Sequence, residues 1–481
     1  MSKWFEFTKM LPSEDLEVII SLGSRQSVSP DTPIIRENCE TDSLHFILKG
    51  LFRVSDKFNG TKPLTLLGPG DIIGATSFFT NKTKTNVSVT SAANSSVFTI
   101  PYKNLNEKIE NDTNLGVRIY KILARMTANR LKNTGSDQMQ PETGLQSEIH
   151  DDWNRFLSET DLFKELIAES DKRAIKNSNT VTEDDECEIT SRFQDIYLQF
   201  NSLVNGEKKI PETVKHEIGR VMKKEFLPFM LLADTGERFY SKPRGYAGDY
   251  YTIEMIYQNT PGGRSRLGPV LDSCFLNLSA AQAVRNRRSL LSAEIMKTVA
   301  DKNDDTAKIM SIACGPAREI TDVFEILDDK NRLKATLLDL DSQALSFVRK
   351  KISDMNLNSH IEFLNKNIIY LMLGRENTEI EKQDLIYSIG LIDYFDDKTV
   401  IKLLNYIYDT LLPGGRVILG NFHPSNPSKA FMDYVLEWPL IHRDENDMNR
   451  LFNASKFQSP CTDILFEEEG INLFAKCIKK H

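Results

Sequence analysis

The stretch Lys308-Ile-Met-Ser-Ile-Ala-Cys-Gly-Pro-Ala-Arg-Glu-Ile320, followed by Leu337-Leu-Asp-Leu-Asp341, decides the fold. A short apolar run ends in a tight Cys314-Gly315-Pro316 turn, and a second apolar run ends in two carboxylates. A doubly wound α/β sheet holds a ribose in this way, at the carboxyl ends of its first two strands. Gly315 lets the backbone approach a ligand closely, and Asp339 is placed to accept from two ribose hydroxyls. Pro316 and Ala317 stand where a dinucleotide fingerprint has further glycines for a pyrophosphate. The expected ligand is therefore an adenosine cofactor that lacks one.

Working outward, Ile361-Glu-Phe-Leu-Asn-Lys-Asn367 reads as a third strand, with Asn367 and Ile368 expected at the adenine edge. Gln383-Asp-Leu-Ile-Tyr-Ser-Ile-Gly-Leu-Ile-Asp-Tyr394 reads as a fourth, whose end at Ser388 and Gly390 is expected beside the reacting group. Leu411-Leu-Pro-Gly-Gly415 turns the chain into Arg416-Val-Ile-Leu-Gly420 and the loop Asn421-Phe-His-Pro-Ser-Asn-Pro427. Short apolar runs alternating with amphipathic segments predict a parallel sheet built by right-handed crossovers. These pieces, in this order, resemble class I S-adenosylmethionine-dependent methyltransferases. The resemblance implies a Rossmann-like C-terminal domain that binds S-adenosyl-L-methionine, with Ala313, Cys314, Gly315, Asp339 and Leu340 among the cofactor contacts.

The chain has 481 residues, too many for one core, so two or three domains are expected. A formal charge of −8 argues against general nucleic-acid binding, and no DNA partner is expected. Six cysteines show neither paired nor metal-ligand spacing, which predicts unbridged thiols, no metal and a reducing, cytoplasmic setting. The N-terminal residues lack the apolar core of a signal peptide, and no run is long enough to span a membrane.

Before residue 133 the pattern is one of short alternating strands punctuated by glycine, which predicts a β-rich jelly roll. Leu44-His-Phe-Ile-Leu-Lys-Gly-Leu-Phe-Arg-Val54 and Leu64-Thr-Leu-Leu-Gly-Pro-Gly-Asp-Ile-Ile-Gly74 resemble a cyclic nucleotide-binding domain, with Thr113 to Lys132 as its closing helix. The resemblance implies a ribose-binding Glu just after Gly74 and a phosphate-binding Arg further on. Ala75 and Lys84 stand there instead, so cAMP is a poor fit. Two roles remain open: a sensor for another small nucleotide-like effector, with Gly74, Thr83, Lys84 and Thr85 as contacts, or a module for docking or homodimerisation. Residues 134–150 read as a linker.

Residues 151–300 show helical spacing, as at Trp153, Phe156, Leu157, Phe163 and Ile167, with Thr182-Glu-Asp-Asp-Glu186 expected as an exposed loop. The segment Lys242-Pro-Arg-Gly-Tyr-Ala-Gly-Asp249 precedes a helix that Asp249 is expected to cap. Together with Ala283-Val-Arg-Asn-Arg-Arg288 and Trp438-Pro-Leu-Ile-His-Arg443, it resembles bacterial proteins of extracellular factor 3-hydroxypalmitic acid methyl ester biosynthesis. That implies a small-molecule acceptor, with a hydroxy fatty acid carboxyl as one candidate. The segment reads either as a lid, through Arg244 and Tyr246, or as a structural clasp.

The methyltransferase domain is expected over 301–481. Its catalytic candidates are Asp393, Tyr394 and His423, with Asn421 and Arg443 as substrate contacts. Asp393 reads equally as a helix cap, and His423 as a bonded loop residue. A carboxylate acceptor is already ionised at neutral pH and needs no base. Phe422, Phe431, Met432, Tyr434, Leu436 and Trp438 read as an acyl pocket or as core. Protein or RNA methylation, and non-catalytic cofactor sensing, are the alternative functions.

Overall fold

Alternating apolar positions build two four-stranded antiparallel sheets near the N-terminus of the computed structural model, which describes residues 12–55, 65–80, 84–134, 147–208, 210–303, 305–376 and 378–480. The strands are β1 (Ser24–Val28), β2 (Pro33–Ile35), β3 (Ser43–Lys49), β4 (Phe52–Ser55), β5 (Thr65–Leu67), β6 (Ile72–Ile73), β7 (Ser88–Ser91) and β8 (Ser95–Pro101). They pair in the orders β1-β8-β3-β6 and β2-β7-β4-β5. Val28, Ile35, Ile47, Phe52, Val54, Leu67, Val89 and Val97 fill the space between the sheets. Gly50 has φ +102°, and a Cβ there would fall 2.0 Å from Ser95 Oγ, so no other residue fits this turn.

The outer face of β3 and β8 is covered by helices α1 (Ser13–Ser21), α2 (Tyr102–Asn111) and α3 (Thr113–Thr134). Leu115, Ile119, Ile122 and Leu123 of α3 are buried here, so packing on its own barrel accounts for the apolar stripe of this helix. Thr83 and most of the expected linker lie outside the described residues.

The chain divides into two units, residues 1–203, 208–247 and 261–275 in one, and 204–207, 248–260 and 276–481 in the other. The segment 151–300 is thus shared between them. In the first unit, α4 (Ser147–Lys176), α5 (Glu183–Asn205) and α6 (Glu212–Met230) pack through aromatic rings. Phe156 lies 5.9 Å from Phe200 and Phe163 6.2 Å from Phe226, centroid to centroid. The acidic stretch at 182–186 is not the loop expected from its charge. Its acids form the first turn of α5, where the helix dipole favours them, and Asp185 is buried against Arg173.

The second unit is a seven-stranded sheet: β9 (Ala307–Ile312), β10 (Leu333–Asp339), β11 (Ile361–Asn365), β12 (Gln383–Ile389), β13 (Leu411–Phe422), β14 (Asp463–Phe466) and β15 (Asn472–Ile478). The order is β11-β10-β9-β12-β13-β15-β14. The first five strands are parallel, as expected; β15 runs antiparallel to β13, and β14 antiparallel to β15. Strands buried on both faces read as continuous apolar runs, and here each face has its own core. The turn expected at Leu411–Gly415 is absorbed into β13 as a register shift. Gly415 makes that possible, because a Cβ there would lie 2.9 Å from two carbonyl oxygens.

Candidate functional site

Strand order reverses between β9 and β12, which places a crevice at the carboxyl ends of those strands. The chain leaves β9 through a strained turn in which Ala313 (φ 55°), Gly315 (φ 53°) and Ala317 (φ 45°) are all left-handed. Gly315 opens onto space, since a Cβ built on it meets nothing within 4 Å. Its N–H donates to Asp339 Oδ2 at 2.9 Å, and the Asp341 N–H donates to Oδ1 at 2.8 Å. Each carboxylate oxygen therefore keeps a second lone pair for a ligand hydroxyl. Burial pushes the Asp339 carboxyl up, while these amides hold it down.

Cys314 is buried and its thiol is pushed well above its usual range, so it packs in the turn as a neutral group. Leu340 projects from the end of β10 at 67% exposure, an apolar surface beside Asp339. Asn367 caps helix Ile368–Met372, its Oδ1 accepting from the Ile369 N–H at 2.9 Å. Ser388 spends its hydroxyl on the Ile312 carbonyl at 2.8 Å, tying β12 to β9.

Beyond Gly390, Asp393 is 1% exposed. Its Oδ1 accepts from the Phe422 N–H at 2.8 Å, and its Oδ2 is buried with no partner. Burial raises this carboxyl to about 6. Its bond runs to the last residue of β13, whereas Asp396 caps the next helix, Asp397–Thr410. Tyr394 accepts from Trp438 Nε1 at 2.7 Å, and burial lifts its phenol to about 12. His423 sits between Ser425 Oγ at 2.6 Å and Glu445 at 3.3 Å, a bonded loop position.

Arg443 and Asn421 are structural in their geometry. Arg443 donates to the Ile392 carbonyl, Asn421 Oδ1, the Phe395 carbonyl and Asp397, all at 2.6 to 3.2 Å. Asn421 Nδ2 donates to the Phe422 and Ile441 carbonyls. Phe422, Phe431, Met432 and Leu436 are buried as core rather than lining an open pocket. Asp249 caps helix Tyr250–Gln258 as its sequence position predicts, accepting from the Tyr251 and Thr252 N–H groups. Arg244 and Tyr246 lie in the turn before it, where Gly245 has φ +92°.

Sequence reasoning missed a polar layer at the same strand ends. Glu254, fully buried, pairs with Arg318 at 2.7 Å, just after the turn. Tyr387 donates to Glu319 at 2.7 Å, and both are buried. The signal was faint: a charged residue at an inward helix position, and a tyrosine inside an apolar strand.

In the barrel, Gly74 has φ +92° and its carbonyl accepts from the Tyr102 hydroxyl. Thr85 is buried, with its hydroxyl turned to the Arg36 and Val87 carbonyls. Lys84 is exposed and bridges in β fashion to Glu40. Among the described residues no group of three or more His, Cys, Asp or Glu is placed to hold a metal, and no helix is long and apolar enough to cross a membrane.

With this geometry, residues 243–463 match the family model described as "Putative methyltransferase", and residues 25–112 that of the cyclic nucleotide-binding domain. The chain thus carries a segment similar to methyltransferases and a segment similar to cyclic nucleotide-binding domains. Among curated proteins it is similar to the uncharacterized protein YnbC of Escherichia coli (strain K12), at 20% identity over 244 residues. The match spans 48% of this chain and 40% of that relative's length. A solved structure of a possible exported protein from Bordetella parapertussis is 16% identical, covering 61% of this chain and 97% of its own, with a TM-score of 0.44. The magnesium protoporphyrin IX methyltransferase of Synechocystis PCC 6803, solved with SAM bound, is 11% identical over 42% of this chain and 85% of its own, with a TM-score of 0.32.

Proposed function

We propose that the C-terminal domain transfers a methyl group from S-adenosylmethionine to a small-molecule acceptor. The observation that carries this reading is the open face of Gly315 beside Asp339, at the point where strand order reverses. The residues present fit the cofactor. Asp339 would hold the ribose hydroxyls, Leu340 would pack on the adenine, and the bare Gly315 backbone would admit the ligand. When bound, the cofactor supplies the methyl group as a sulfonium whose C–S electron pair stays on sulfur as the acceptor's lone pair forms the new bond.

The chain's own part is orientation and exclusion of water. Asp393 Oδ2 is the unsatisfied acceptor at the end of β12, where it would take the proton of a hydroxyl or amine acceptor. For a carboxylate acceptor the same group has no proton to remove. Tyr394, paired with Trp438, forms a polar wall near it. The likeness to the hydroxypalmitic methyl ester proteins makes a hydroxy fatty acid the acceptor to try first. A cytoplasmic site of action belongs to the same reading, supported by six cysteines without a disulfide.

Calorimetry with S-adenosylhomocysteine tests the cofactor site. Wild-type protein should bind and Asp339→Ala should not. Equal affinity in the two would remove Asp339 from the site. Transfer of labelled methyl from S-adenosylmethionine into a small-molecule extract, rather than into protein or RNA, tests the acceptor class.

A further inference from the structure

Helix Ser279–Asp301 carries three arginines in Arg285-Asn-Arg-Arg288, and two of them are spent locally. Arg285 Nη1 donates to the Leu276 carbonyl at 2.7 Å, and Arg288 forks onto Asp322, with Nη2 2.6 Å from Oδ1. Arg287 differs. It is only 4% exposed, it forms no ion pair among the described residues, and its Nε is buried without a hydrogen-bond partner.

Its guanidinium lies against the bare face of Gly390, where a Cβ would stand 3.4 Å from Nη1 and 3.7 Å from Nη2. That contact fixes the cation at the carboxyl end of β12, beside the crevice that Gly315 opens. The Tyr257 side chain is its hydrogen-bond partner, and Glu319, Asp393 and Tyr394 lie within its electrostatic reach. Glu319 already accepts from the Tyr387 hydroxyl and Asp393 Oδ1 from the Phe422 amide, while Asp393 Oδ2 has no partner. Burial pushes both carboxyls up, and neither forms an ion pair with the guanidinium among the described residues. A guanidinium keeps its proton in proteins, and a buried one without an anion in contact is costly to maintain. Such a cost is recovered when a ligand brings the anion.

We propose that Arg287 seats a ligand carboxylate in this crevice, supplied by the amino-acid end of the cofactor or by the acceptor. The fork of its guanidinium suits a planar carboxylate, and a neutral ligand would leave the cation buried and unpaired. The proposal rests on the adenosine-site reading of Gly315 and Asp339.

Calorimetry on the full chain tests it with four probes: S-adenosylhomocysteine, 5′-methylthioadenosine (which lacks the amino-acid carboxylate), octanoate and octanol. Arg287→Met is expected to weaken one carboxylate probe by about 10- to 100-fold. Loss for S-adenosylhomocysteine with methylthioadenosine unchanged assigns Arg287 to the cofactor's carboxylate. Loss for octanoate with octanol and both adenosine ligands unchanged assigns it to the acceptor's. Equal affinities for all probes in wild type and variant overturn the proposal, as does an equal loss for S-adenosylhomocysteine and methylthioadenosine. Wild-type protein that binds neither adenosine ligand overturns the cofactor site itself and this proposal with it. Arg287→Lys keeps a buried cation and the fold; it should shift the same probe in the same direction by a smaller factor, and an unchanged affinity there is equally fatal.

Discussion

Burial raises the Asp393 carboxyl from 3.8 to about 6, and the sign of that shift sets what substitution there does. The native state holds this proton more tightly than the unfolded chain. Its stabilising contribution is therefore complete below pH 4 and is lost as pH rises to about 6, a change of roughly 3 kcal/mol. Asp393→Asn keeps an oxygen for the Phe422 N–H and removes that pH dependence. The variant should melt at or above wild type at pH 8 and converge with it near pH 4, as thermal unfolding will show. Its transfer rate to a hydroxyl or amine acceptor should fall by about 100-fold or more. An unchanged rate would leave Asp393 as a tie between the segment after β12 and the end of β13. Arg443 gives the opposite result. Truncation to Ala leaves Asn421 and the Ile392 and Phe395 carbonyls without their donor while Asp397 keeps Arg450, and urea titration should show a loss of about 3 kcal/mol.

At the scale of elements, helix Tyr250–Gln258 is tied to the turn that follows β9. Asp249 caps it, and Glu254 within it grips Arg318 at the head of the helix that follows Gly315. Asp249→Ala should cost about 1 kcal/mol as a lost cap. It should also weaken S-adenosylhomocysteine binding, because the buried Glu254–Arg318 pair loses its anchor; calorimetry beside thermal unfolding separates the two effects. The parallel strands were legible because double burial writes itself as unbroken apolar runs, and the turn after β9 because Gly315 and Pro316 punctuate it, whereas the same signal at Leu411–Gly415 lies within β13. Asp339 was legible because a carboxylate that ends such a run has few structural uses. Whether the arginines at 285, 287 and 288 hold a ligand carboxylate or nearby acids was not legible, nor was Glu319, because a charged residue inside a helix looks the same in sequence whether it faces solvent or a crevice. Arg443, in the loop before helix Glu445–Asn453, reads in sequence as a substrate contact; only packing reveals that its donors go to the Ile392 and Phe395 carbonyls, Asn421 and Asp397.

For the whole molecule, residues 25–112 match the cyclic nucleotide-binding domain model, and two contacts that this resemblance implies are replaced. Ala75, nearly buried, opens the short helix Ala75–Thr80 where the related domains offer a carboxylate, and the Thr85 hydroxyl is already bonded to backbone. A thermal-shift panel should therefore show no stabilisation by cAMP. A ligand bound at 100 times its dissociation constant would add about 2.7 kcal/mol, so any binder in a wider panel of cyclic mono- and dinucleotides will register. Stabilisation by cAMP would mean that backbone amides alone suffice to hold the ribose.

The burial of Cys314 has a practical side. Its thiol sits in the turn after β9 yet is neutral and enclosed, while Cys39 in the barrel and Cys187 in the helical region are exposed. Maleimide dyes should therefore label the barrel and the helices and leave the crevice untouched. The native sequence thus carries two attachment points for fluorescence distance measurements, and these can follow the protein during turnover without an engineered cysteine.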